Sequence, residues 1–328
     1  MNNKKKNFLS RAIKMQESGI LFVIILFSVL ITIINPVFVT ERNLANVLRA
    51  TGFTLITTLG MTFVLISGGI DLSVGSVFAL AATVSAKSLV AGLPISFSIL
   101  LGLLSGFLVG FINGLIIVKI NIPPLIVTLG MMYIARGVVY VTTEGVPVYP
   151  LPEEFKAIEG FDLFGTIPSV VIIAIVLALI FHIVLKNTPF GRSVFAVGGN
   201  YEAARISGID DKKIKLAVYS ISSSLAALAG IMMASRLGSS QANAGMGYEM
   251  TVISAAIIGG TSTYGGVGTI FGSVLGAIFM EILSNSLTLA KISVYWQNVV
   301  IGVVLIFAVI IDTYRRKMIQ RKELIQTK

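Results

Sequence analysis

The sequence predicts an all-α polytopic membrane protein with about ten transmembrane helices, and three observations predict it. Of the 328 residues, 55% are hydrophobic and only 12% charged, with a mean hydropathy of +0.92; a soluble domain carries roughly 25% charged residues. That is more apolar material than one water-facing core can use, whereas lipid accepts apolar side chains on every outer face. The apolar residues fall into segments near the length that a helical span needs. The basic residues, finally, gather at the two ends and in one central loop.

Taken in order, the segments are 19–38, 50–68, 72–91, 95–118, 123–142, 167–186, 214–235, 248–264, 267–288 and 294–312. The first, from Gly19 to Ile34, is followed by Asn35-Pro36-Val37-Phe38 rather than by a small-residue cleavage site, so it reads as a retained helix and not as a signal peptide. A tail over 1–18 precedes it with Lys4, Lys5, Lys6, Arg11 and Lys14, and a tail over 313–328 carries Arg315, Arg316, Lys317, Arg321 and Lys322. By the positive-inside rule both tails are expected in the cytoplasm, which requires an even number of spans in the membrane domain 19–312. The loop 143–166 sets Glu144, Glu153, Glu154, Glu159 and Asp162 against Lys156 alone and is expected outside. The loop 187–213, flanked by Lys186 and holding Arg192, Arg205, Lys212 and Lys213, is expected inside. Arg42, Arg49, Lys87, Arg236 and Lys291 run against this scheme, because it leaves them outside.

Several functions are disfavoured. The net charge of +10 is not interleaved with stacking aromatics, so nucleic acid is not an expected partner; membrane lipid is. No cysteine offers a disulfide or a thiolate. There is no G-x-x-x-x-G-K-[ST] loop to hold a nucleotide. The single histidine, His182, has no companion ligands and reads as a packing residue, and no triad or carboxylate pair stands out. The chain is therefore expected to be no enzyme and to need neither cofactor nor metal.

Glycines mark two places where apolar segments meet. Gly68-Gly69 followed by Gly75 has the spacing of Gly259-Gly260 followed by Gly266, and hydroxyls accompany both sets: Ser67, Ser73 and Ser76 in the first, Thr261, Ser262 and Thr263 in the second. One reading is a pair of helix breaks at matching points of two halves, beside a pathway, with Gly265 in the second. The other is that glycine pairs are common in membrane helices. Asp71, a carboxylate close to apolar segments, either accepts hydrogen bonds from backbone freed at the break or caps the span starting at Leu72. Glu281, inside a late span, suggests proton coupling, a basic partner or a subunit contact. Asn113, Thr128, Tyr133 and Asn285 are polar enough to line a path, and Tyr295-Trp296-Gln297-Asn298 reads as an interfacial belt more than as a sugar contact.

The central loop is the most informative stretch. Gly198-Gly199-Asn200-Tyr201-Glu202-Ala203-Ala204-Arg205-Ile206-Ser207-Gly208-Ile209 predicts a short helix, with Asn200 as N-cap, Glu202 at the positive end of the dipole and Gly208 at the left-handed C-terminal position. Such an element either presses into a partner or is a solvated connector.

Glu202-Ala203-Ala204 with Gly208-Ile209 resembles the EAA-type loop of ABC importer permeases. The flanks resemble those of the ribose/xylose-type monosaccharide permeases: Gly68-Gly69-Ile70-Asp71-Leu72-Ser73-Val74-Gly75-Ser76, Thr188-Pro189-Phe190-Gly191-Arg192, Val197-Gly198-Gly199-Asn200, Ala244-Gly245-Met246-Gly247-Tyr248-Glu249, and Gly259-Gly260-Thr261-Ser262 with Gly265-Gly266-Val267-Gly268. The likeness runs from about residue 20 to 312, with the motifs in order. The family's acidic position after the Tyr-Glu pair is Met250-Thr251 here, so no role for that acid carries over. The resemblance implies that two permeases form the pathway, that separate cytoplasmic ATPase subunits receive the coupling helix, and that an extracytoplasmic binding protein delivers the sugar. It assigns coupling to Asn200, Glu202, Ala203, Ala204, Arg205, Gly208 and Ile209, with the small residues entering a narrow cleft. A stand-alone secondary carrier or channel is the competing expectation; it would not need the EAA-type loop.

Overall fold

A computed structural model of the chain describes residues 2–163 and 167–326, with side chains over 18–162 and 167–314. The basic side chains named in the two tails lie outside the described residues. Helix α1 (Asn2–Ile34) leads through a 3-10 turn (Pro36–Val39) into α2 (Glu41–Ile66), α3 (Val74–Val90), α4 (Ile95–Ile120) and α5 (Pro124–Thr143). A connector with the short α6 (Glu153–Gly160) and the antiparallel strands β1 (Asp162–Leu163) and β2 (Ile167–Pro168) follows. Then come α7 (Ser169–Asn187), the short α8 (Pro189–Gly199) and α9 (Tyr201–Ile206), α10 (Asp211–Leu237), α11 (Tyr248–Ile258), α12 (Ile270–Leu289) and α13 (Val294–Gln326). Among the described residues, seven helices are long and apolar enough to cross a membrane, and the shorter apolar helices Ser18–Ile34, Val74–Val90 and Tyr248–Ile258 fall on the remaining three predicted segments.

The bundle is built around α2 and α10. Every residue of α2 from Thr51 to Ile66 is buried, its threonines included, so protein surrounds this helix on all sides. Helix α10 packs against α2, α3 and α4 through small residues. A side chain at Gly60 would strike Ser222, one at Gly106 would strike Ala227, and one at Gly230 would strike the Phe78 backbone. Where lipid removes the hydrophobic drive between helices, such close backbone approach supplies the packing. The outer helices show the opposite pattern: Leu100, Leu104, Phe107 and Leu108 on α4, and Val299, Val303, Ile306 and Phe307 on α13, are exposed.

Several boundaries differ from the sequence expectation: the helices α1 and α13 extend beyond their apolar segments to Asn2 and Gln326, and three inner boundaries move. Helix α2 begins at Glu41, not at 50, because Glu41, Arg42, Asn43, Asn46 and Arg49 lower the hydropathy of its first turns without breaking them. Asn43 is buried there, exchanging amide hydrogen bonds of 3.0 and 2.8 Å with Asn285 of α12. Helix α11 stops at Ile258, short of 264, and α12 starts at Ile270, because Gly260 turns the chain with φ +90.

The connector between α5 and α7 packs on what is here termed the acidic end. Arg49 meets Asp162 at 2.6 Å and Glu159 at 3.0 Å. Ser235 donates to the Phe155 carbonyl at 2.6 Å, and Phe155 is fully buried. Lys87 donates to the Thr142 carbonyl. Two basic residues that run against the charge scheme are thereby accounted for: Arg49 is paired with Glu159 and Asp162, and Lys87 is bound to backbone.

Candidate functional site

At the opposite, basic end, the two glycine pairs and the loop 187–213 come together. Helices α2, α9 and α11 all stop in the same way. In each, the N–H of a glycine at positive φ reaches back three residues and the next N–H reaches back five. Gly68 bonds Leu65 at 2.9 Å and Gly69 bonds Val64 at 3.0 Å. Gly260 bonds Ile257 at 2.8 Å and Thr261 bonds Ala256 at 3.0 Å; Gly208 bonds Arg205 at 3.0 Å and Ile209 bonds Ala204 at 3.1 Å. This arrangement satisfies the last carbonyls of a helix and requires a left-handed residue, which glycine adopts without a steric cost. The repeat inferred from spacing is thus shifted by one. The turning residue is the first glycine of the first pair and the second of the other, and Gly75 is helical whereas Gly266 has φ +72.

Beyond these stops, three backbones touch. The Ile66 carbonyl at the end of α2 accepts the Gly266 N–H at 2.8 Å. A methyl on Gly198, in the last turn of α8, would collide with that same carbonyl and fall 2.8 Å from the Gly266 nitrogen. One on Gly265 would fall 2.6 Å from the Gly198 oxygen and 3.0 Å from Gly68 Cα, and one on Gly266 would fall 2.7 Å from Gly199 Cα. The end of α2, the stretch after α11 and the start of the α9 loop are therefore one backbone-to-backbone junction.

Each break also has a carboxylate. Asp71 Oδ1 accepts the Ser73 N–H at 3.0 Å and its hydroxyl at 2.6 Å, and Oδ2 accepts the Ser222 hydroxyl of α10 at 3.0 Å. Ser73 in turn accepts from the Asn113 amide of α4 at 3.0 Å. Asp71 is not the cap residue of α3: that helix starts at Val74, Ser73 holds the cap position, and the carboxylate acts two residues earlier while reaching α10. In the second break Asp312 of α13 does the gathering, accepting from the Ser262 hydroxyl at 3.1 Å, the Thr263 N–H at 3.1 Å and the Thr263 hydroxyl at 3.0 Å. Thr261 is buried there. Gly75 lies elsewhere, backbone to backbone with Gly245. Glu281 accepts from Thr54 at 2.5 Å, and Tyr248 donates to the same threonine at 3.2 Å.

Helix α9 stands on this junction. The Asn200 side chain accepts the Ala203 N–H at 3.0 Å, and Glu202 sits in the first turn. Lys215 of α10 lies 4.9 Å from the centre of the Tyr201 ring, and burial together with Asp211 raises the Tyr201 phenol above its ordinary range. Glu202, Ala203, Arg205, Ile206 and Gly208 are exposed, whereas Ala204 is buried against the body of the protein. The small residues are thus divided: Ala203 is free for a partner and Ala204 seats the helix. Ile206, 85% exposed, is an apolar side chain at the tip that sequence reasoning passed over. So were Asp312, Gly198 and Gly199 as junction members. The Gly-Gly doublet ahead of a capped helix was the available signal for the glycines; nothing local marked Asp312.

Comparison with known proteins now has a geometry to meet. A family model described as branched-chain amino acid transport system / permease component matches residues 43–309. Ribose import permease protein RbsC of Bacillus subtilis (strain 168) is 41% identical over 303 residues, covering 91% of this chain and 93% of the relative. Probable ABC transporter permease protein YphD of Escherichia coli (strain K12) is 39% identical, covering 93% and 91%. L-arabinose transport system permease protein AraH of the same organism is 37% identical, covering 92% of each chain. No solved structure matches the chain. The chain therefore belongs to this family of multi-pass permease components of the cell membrane, in its ribose/xylose-type monosaccharide branch.

Proposed function

We propose that this chain is the translocation subunit of an ATP-binding-cassette importer, moving a monosaccharide or similar polyol across the cytoplasmic membrane with ATP hydrolysed by a separate subunit. It is not itself an enzyme. Its partners are cytoplasmic ATP-binding subunits, an extracytoplasmic sugar-binding protein, and a second permease copy or paralogue. Both tails and the basic end face the cytoplasm, 143–166 faces outward, and α9 within 187–213 is the coupling helix.

One observation carries this reading: a short helix with both ends satisfied, exposed on its outer face, and joined directly to the end of α8, whose backbone is in contact with the end of α2 and the stretch after α11. A stand-alone carrier has no use for such an element. Closure of the ATPases would press on Glu202, Ala203, Arg205 and Ile206. The junction would pass the displacement to Gly68-Gly69 on one side and Gly265-Gly266 on the other, without a soft side chain between them. Asp71 and Thr261 lie immediately beyond, where the two helices break off.

The test is co-purification of the cognate ATPase from detergent with the wild-type chain and with Glu202→Lys. Loss of the ATPase in the variant, with the permease still inserted, supports α9 as its docking element. A permease that retains no ATPase yet transports D-ribose or L-arabinose alone in liposomes would overturn the proposal in favour of a carrier.

A further inference from the structure

Between α10 and α11 the chain runs without helix from Gly238 to Gly247. It starts at the acidic end, where Ser240 pairs with Val148 through backbone bonds of 3.0 and 2.9 Å. It then descends into the bundle. Arg136 of α5 donates to the carbonyls of Ala242 at 3.0 Å, Ala244 at 2.7 Å and Gly75 at 3.2 Å. Arg136 lies seven residues before the end of α5 at Thr143, which at the rise of a helix is about 10 Å in. Tyr133 lies ten residues before it, about 15 Å in, near the middle of a hydrocarbon layer of about 30 Å.

Irregular backbone at such depth is tolerated only where protein covers it or water reaches it. Within this chain the cover is partial: Ala242 is buried, but Asn243, Met246 and Gly247 are exposed. The Tyr140 hydroxyl, on a side chain 39% exposed, reaches Met246 Sδ at 3.6 Å, and Tyr133, two turns further into α5, is 70% exposed. The two tyrosines are seven residues apart and share one face of α5, with open space at Gly130 and Gly137 on the same side. A tyrosine at the middle of a membrane is outside the interfacial zone where its hydroxyl meets headgroups. Exposed aromatic faces on α5, with a thioether against Tyr140 and an amide three residues before it on the descending segment, offer what the C–H face and hydroxyl edge of a sugar require.

We propose that Tyr133 and Tyr140 of α5, with Asn243 and Met246 of the descending segment, form the sugar-facing wall of the translocation pathway, and that Arg136 is the positioning residue that holds the segment against α3. The assignment rests on the importer reading above.

The absence of cysteine allows each position to report alone. In the assembled transporter in proteoliposomes, Tyr133→Cys and Asn243→Cys are expected to react with a charged methanethiosulfonate at least tenfold faster than Leu179→Cys on α7 and Val299→Cys on α13, which face outward. Labelling of Tyr133→Cys and Asn243→Cys only by a lipophilic maleimide, like the controls, would make this a lipid face and overturn the assignment. A Tyr133→Cys disulfide between copies without aqueous labelling would make it a dry seam, with the same consequence. Labelling needs no transport, so it stands apart from the test of the importer reading. In uptake assays with D-ribose and L-arabinose, Tyr133→Ala is expected to raise KM several-fold while ATPase co-purification persists, and Tyr133→Trp to restore it. An unchanged KM for both sugars in Tyr133→Ala would also overturn the proposal.

Discussion

The two connectors at opposite ends of the bundle are held by different means. At the acidic end, the segment between α5 and α7 is tied by side chains: Arg49 to Asp162 and Glu159, and Ser235 to the Phe155 carbonyl. At the basic end, the segment between α7 and α10 is tied by backbone on backbone, with Gly198, Gly199, Gly265 and Gly266 around the Ile66 carbonyl. Side-chain ties can re-form after small shifts, because rotamers and solvent absorb them. Glycine backbones in contact have no such reserve, so a displacement of α8 and α9 must displace the end of α2 and the stretch after α11. On the proposed importer reading, the acidic end stays put and the basic end transmits.

That contrast breaks most decisively at Gly198. Gly198→Ala places a methyl into the Ile66 carbonyl, an overpacking cost of about 3 kcal/mol at the upper end of the usual range. Sugar uptake is expected to fall at least tenfold while the ATPase still co-purifies, since the outer face of α9 is untouched. Full uptake with Gly198→Ala would mean that the junction transmits nothing. Gly208→Val should likewise uncouple transport in an inserted protein, because a β-branched residue is strained at φ +82.

The acidic end should respond in stability and not in coupling. Arg49→Met removes a partly exposed partner from buried Glu159 and is expected to cost about 1–2 kcal/mol, discounted for that exposure. A lower Tm with unchanged uptake at permissive temperature is the expected pattern; lost uptake without a Tm change would erase the distinction between the ends. Burial raises the Glu159 carboxyl above its ordinary range, against the opposing pull of Arg49 and Arg236. A group raised in the folded state contributes stability that is full below its unfolded value, about 4.3, and is lost as pH rises through the folded value. Melting curves taken upward from pH 4 should therefore fall for the wild type, and Glu159→Gln should flatten them. The smallest effect is expected at Asn200→Ala, which removes the α9 cap for about 1 kcal/mol and should lower ATP-driven uptake only a few-fold.

Much of this was legible along the chain. The ten segments, the cap at Asn200 and the turn at Gly208 depend on hydropathy and on residues within one turn of each other, which a sequence displays directly. The start of α2 was missed because Glu41, Arg42 and Asn46 are read as loop when their helical context is hidden. The paired-glycine repeat was visible as spacing, but which glycine turns the chain depends on where each helix runs out of packing partners. For Asp71 the sequence leaves a cap and an acceptor of freed backbone both open: its bond to the Ser73 N–H is local, while its bond to Ser222 spans 151 residues and no local pattern shows it.

The sequence by itself determined that this is an apolar helical bundle with a capped helix on a basic loop, because both follow from short-range chemistry. It took the packed bundle to bring the end of α8, which leads into this helix, against the end of α2 and the stretch after α11, to turn Ala204 in and Ile206 out, and to pair Arg49 with Glu159 and Asp162. Those contacts join residues more than a hundred positions apart or depend on which face of a helix the bundle covers. No local pattern carries that, since the energy that selects them belongs to the packing of the whole bundle.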